Sequence, residues 1–143
     1  MVLKILISEI ESFVIPELLI HTKVDDVLLQ DLHHEFHNKG YAFDAYHSTL
    51  VAMGLLSLYI DCHNQIKITK THDQLSTLIL KGDYFYSLYY QYCAQNAFHL
   101  IAYNFAKKIK EAEIASLSTP YPSLLQETIT LFEQEVSHYE LFS

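Results

Sequence analysis

The chain has 143 residues, 50% of them hydrophobic and only 18% charged, with a formal net charge of −8. That length fits a single domain, 1–143, with a substantial core, because about 150 residues hide roughly two-thirds of their unfolded surface. The acidic balance argues against nucleic acid, and all nine basic residues are lysines, so no planar guanidinium is available to grip phosphate or carboxylate bidentately.

Leu3, Leu6, Ile10 and Phe13, with Ile7 and Val14 beside them, recur at helical spacing and predict an amphipathic helix over residues 2–15. This stretch carries acids and no small-residue cleavage site, so it does not read as a signal peptide. Pro16 closes it or starts the next. A second helical stretch runs from Pro16 to Asn38 with Ile20, Val24, Val27 and Leu28 on one side, and Gly40 is placed to cap its end. Residues 42–63 contain LVAMGLLSLYI, apolar nearly all round, which belongs in the middle of a bundle or at a subunit interface. The apolar run Leu50 to Ile60 is about half the length of a membrane span, and no transmembrane helix is expected.

NQIKITKT reads as a loop, and Thr71 with Gln74 forms a capping box for a helix through LSTLILKGDYFYSLYYQYCAQ, with Gly82 as the place for a bend. A further helix is expected over Ala97 to Leu117, on Ile101, Phe105 and Ile109. STPYPS breaks it. Ser123 and Gln126 then form a second capping box ahead of Leu125, Ile129, Phe132, Val136 and Tyr139 at helical spacing. The pattern predicts an all-α, single-domain bundle of about six helices. Cys62 and Cys93 are too few for a disulfide framework and read as reduced, buried thiols, which points to a cytoplasmic protein.

Several polar clusters invite a chemical reading. In DLHHEFH, His33 and His37 stand one helical turn apart as a metal pair would, but the HExxH pattern is not met, and a solvated polar face is the simpler account. Asp25, Asp26 and Asp31 in DDVLLQD have the look of a magnesium-binding aspartate motif, yet histidines and an acid follow where phosphate-binding cations are needed. His72 and Asp73 form the HD dipeptide of helical metal-dependent phosphohydrolases, with His37 or His47 upstream as a further ligand; no aspartate follows Asp83 to complete the set.

The stretch LLSLYIDCHNQI, followed about twenty residues later by LSTLILKGDYFYSLYYQYC, is more specific. Asp61 and His63 in DCHN, Gly82, Asp83 and Tyr84 opening GDYFYSLYY, and the later AKKIKEAEIASL make residues 45–117 resemble the small subunit, component I, of bacterial heptaprenyl and hexaprenyl diphosphate synthases. The short chain favours the hexaprenyl type. The resemblance implies a reduced half of the isoprenoid synthase fold, acting as the non-catalytic partner of a large subunit that condenses isopentenyl diphosphate onto farnesyl diphosphate. On this reading Mg²⁺ sits on the catalytic partner, and this chain binds no cofactor and carries no catalytic or metal residue. Asp61, His63, Gly82 and Asp83 are then degenerate motif positions, since one carboxylate cannot assemble a magnesium cluster. Tyr84 and Leu88, one turn apart on an unusually aromatic helix, are the candidate face toward the partner and its product tunnel. A stand-alone metal phosphohydrolase of HD type and an unrelated helical interaction module remain as alternatives.

Overall fold

Side-chain caps at Asp25 and Thr71 set where two of the helices begin. The computed structural model describes residues 2–96, 104, 107 and 125–134, and every regular element among them is helical. Helix α1 spans Val2–Ser12. A 3-10 turn follows at Pro16–Leu19, then α2 at Asp26–Asn38, α3 at Phe43–Ile66 and α4 at His72–Gln95. Residues 125–134 form a further helical stretch.

The expected helix from Pro16 to Asn38 is therefore split. Asp25 is extended and its Oδ1 accepts from the Leu28 amide at 3.0 Å, which satisfies a free amide of the first turn and starts α2 there. The acids of DDVLLQD thus serve as a cap (Asp25) and as a first-turn charge favoured by the helix dipole (Asp26). Ile20 falls in the break and Val27 points outward, both exposed, whereas Val24 and Leu28 enter the core. At the far end Gly40 takes φ +90°, and the Tyr41 amide reaches back to the Phe36 carbonyl at 3.2 Å, the bond that closes a Schellman cap. Thr71 caps α4 by accepting from the Gln74 amide. That helix runs through Gly82 without interruption.

Helix α3 is the axis of the bundle and contacts α1, α2 and α4. Every residue from Thr49 to Leu58 is buried, so the helix that is apolar all round is enclosed by its own chain rather than by a second subunit. α3 and α4 are antiparallel neighbours, as the pairs Tyr59 with Tyr86 and Cys62 with Gly82 require. α1 approaches α3 at Gly54, where a Cβ would collide with the Ile10 side chain. Near the N-terminal end of α3, Phe36 stacks on Tyr46 at 4.9 Å and meets Phe132 at 4.6 Å. Ile129 and Phe132 are buried, as the spacing in that segment leads one to expect, and Leu131 is buried with them. Each large side chain so enclosed contributes on the order of 1.5–3 kcal/mol. The expected helix over Ala97 to Leu117, the STPYPS break, Val136 and Tyr139 lie wholly or mostly outside the described residues.

Candidate functional site

Asp61 and His63 lie in the last two turns of α3, and Gly82 and Asp83 in the middle of α4, with Gly82 against that end of α3. Burial of Gly82 lets α4 lie close on Tyr59 and Cys62, whose atoms would stand 3.7–3.8 Å from an added Cβ. His63, one turn beyond Tyr59, stacks over that ring at 6.3 Å. Asp61 turns instead toward the segment between the 3-10 turn and α2. Its Oδ2 accepts from the Lys23 amide at 3.0 Å and from Gln65 Nε2 at 3.3 Å. Asp83 is exposed on α4, and no bond joins it to Asp61 among the described residues.

That segment is strapped down by groups that had drawn no notice in the sequence. Gln65 Nε2 donates to the His21 carbonyl at 2.9 Å, Lys81 Nζ to the Ile20 carbonyl at 3.2 Å, and the Asp25 amide to Ser57 Oγ at 3.0 Å. These bonds hold His21 at φ +67°, a left-handed conformation that a residue other than glycine adopts only when its surroundings impose it. Beneath the strap, Cys62 is fully buried. Burial pushes its thiol up, against the opposing pull of the Lys81 ammonium and the Thr22 hydroxyl, so it stays protonated and unreactive.

Two surface cavities share His21 as a wall. One, of about 430 Å³, is lined by Gln65, Thr69, Asp73, Thr77 and Lys81 among others. The other, of about 360 Å³, lies against Ile7, Glu11, Leu19 and Lys23. The first offers an imidazole, an ammonium, an amide and hydroxyls opposite one carboxylate, a lining able to take a small polar group. Part of that capacity is already committed: Thr69 and Thr77 donate to the carbonyls one turn before them, and Lys81 to Ile20.

The HD dipeptide is far from its possible partners. His72 and Asp73 open α4, while His37 ends α2 and His47 lies near the start of α3, at the opposite end of the bundle. The 24 residues of α3 separate the two ends by about 36 Å. His47 is bound elsewhere, its Nε2 2.7 Å from Glu9 Oε2, a contact that pins α1 to α3. Among the described residues no three His, Cys, Asp or Glu side chains converge as a metal centre.

Tyr84 and Leu88 are half-buried against the core. The Tyr84 hydroxyl accepts from the Ile15 amide at 3.4 Å, so this stripe of α4 meets the chain after α1. Phe13, packed edge-on against Tyr92 at 5.7 Å, extends the same seam. Ile15, Ile20 and Leu80 remain exposed along it, Leu80 by 70% and one turn before Tyr84.

No helix among the described residues is long and apolar enough to cross a membrane. No protein-family model matches the chain, and no curated protein or solved structure matches it either.

Proposed function

We propose that this chain is a non-catalytic helical subunit that works bound to the larger, catalytic subunit of a trans-polyprenyl diphosphate synthase. The observation that carries the accessory role is the bonding of Asp61. Its carboxylate holds a loop of its own chain through the Lys23 amide and Gln65. A carboxylate that positions magnesium against a diphosphate has to direct its oxygens at the ion, with other acids beside it. The identity of the partner rests on the resemblance of DCHN and GDYFYSLYY to the small-subunit family. Magnesium, the base and the diphosphate grip belong to that partner.

The seam around Tyr84 supports a docking face. Leu80, Tyr84 and Leu88 follow one another at single-turn spacing on α4, and the exposed Ile15 and Ile20 lie along the segment bonded to the same helix. Placed against the partner's product tunnel, such side chains would favour elongation while apolar space remains, at about 0.8 kcal/mol per methylene-sized group withdrawn from water. They would stop it where bulk closes the space.

The test is prenyl transfer from isopentenyl diphosphate onto farnesyl diphosphate with magnesium, by the chain alone and by the complex recovered with it. The expected result is no turnover alone and turnover in a complex whose second subunit bears two aspartate-rich motifs. Leu80→Asp, at an exposed position, should weaken assembly without unfolding the chain. In complexes that still assemble, Tyr84→Ala or Leu88→Ala should shift product lengths more than the rate of the first condensation. Robust turnover by the isolated chain overturns the accessory role, and a co-purifying protein without aspartate-rich motifs overturns the synthase.

A further inference from the structure

The histidines of DLHHEFH differ in their surroundings. His34 Nε2 lies 3.0 Å from Asn38 Nδ2 on the exposed side of α2. His33 is half-buried, with its Nδ1 2.9 Å from the hydroxyl of Tyr46, a side chain only 1% exposed. Phe43 holds the same imidazole edge-on at 5.8 Å. One nitrogen is thus engaged by the core and the ring plane is fixed, which leaves Nε2 as the free coordinating atom. His37 follows one turn later, exposed, with its ring centroid 6.2 Å from that of His33.

We propose that His33 and His37 form a two-imidazole site for a divalent transition-metal ion, with Tyr46 as the positioning residue. Imidazole nitrogen favours Zn²⁺, Cu²⁺ and Ni²⁺ over the oxygen-seeking Mg²⁺ and Ca²⁺. With metal–nitrogen bonds of about 2.0–2.1 Å, two rings on one tetrahedral ion have centroids roughly 5 Å apart. The observed pair closes that gap when His37 swings inward by about 1 Å, a motion open to an exposed ring, while His33 stays in place. The proton of His33 then resides on Nδ1 and is donated to the Tyr46 oxygen, the outer hydrogen bond that orients metal-bound imidazoles and raises their basicity. Water completes the coordination. An ion bound across one turn of α2 stiffens that turn and, through Tyr46, its seat on α3. This site does not depend on the synthase reading.

Calorimetric titration of the full chain with Zn²⁺ and with Cu²⁺ at neutral pH tests it. One ion per chain is expected, with Cu²⁺ tighter than Zn²⁺. His37→Ala should weaken Zn²⁺ binding at least tenfold, and Tyr46→Phe, which keeps the ring in the core, by about tenfold. His72→Ala should leave it unchanged. Saturating Zn²⁺ should raise the melting temperature of the native chain but not that of His37→Ala. Native affinity in His37→Ala, or equal loss in His72→Ala, overturns the site. Native affinity in Tyr46→Phe overturns the positioning by the hydroxyl.

Discussion

Replacing each of the two helical glycines by alanine should have opposite consequences, and the geometry supplies the magnitudes. At Gly54 an added Cβ collides with Ile10 Cδ1 and stands 3.1 Å from Cγ1 of the same side chain. Ile10 is fully buried, so relieving the contact means turning its Cδ1 into another rotamer within the packed core or shifting α1. Overpacking of this kind costs about 1–3 kcal/mol, offset by about 1 kcal/mol from the better helix propensity of alanine. With two atoms of Ile10 in the way, Gly54→Ala should lose about 1–2 kcal/mol, which for a domain of this size lowers the melting temperature by roughly 3–6 °C. At Gly82 the nearest atoms, on Tyr59 and Cys62, lie 3.7–3.8 Å away, ordinary contact. Gly82→Ala should therefore be neutral or stabilising by up to about 1 kcal/mol. Urea unfolding of both variants measures the difference. Ile10→Val removes the colliding methyl; alone it should cost about 0.5–1.5 kcal/mol, and with Gly54→Ala less than the sum by about 1 kcal/mol. Equal stability of the two alanine variants, or strict additivity in the pair with Ile10→Val, would refute the close approach of α1 and α3.

Asp61→Ala should destabilise by about 1 kcal/mol through loss of the bond from the Lys23 amide, while Asp61→Asn, which keeps an acceptor oxygen, should cost less than half of that; denaturant midpoints decide. Burial raises the acid groups of Cys62, Tyr46, Tyr89 and Tyr92 above their ordinary values. The unfolded chain releases those protons first, so the contribution of these four groups to stability is constant below about pH 9 and falls as pH rises beyond it, visible as tyrosinate absorbance appearing together with loss of helix. Cys62 and Cys93 are both fully buried, and a thiol reagent should label them at the rate of unfolding; fast labelling of the native chain would contradict the strap over Cys62.

Much of the fold was legible because helices leave periodic traces. The seats of Leu6 and Ile10, the buried middle of α3, the glycine cap at Gly40 and the threonine cap at Thr71 follow from spacing and local hydrogen-bond chemistry, which a sequence contains in full. The split before α2 was half legible, since Asp25 is a good cap, but Ile20 and Val27 continue a helical pattern across the break. What the sequence could not contain is the company each polar group keeps. Asp61 meets Lys23 across 38 positions, Tyr46 meets His33 across 13, and His47 meets Glu9 across 38. Gly82 drew attention by its motif, yet Gly54, unremarked in LVAMGLLSLYI, is the glycine on which two helices close. Spacing within one helix fixes which side chains share a face, whereas the partner of a face depends on how separate helices cross, and that is decided only when the whole core packs at once.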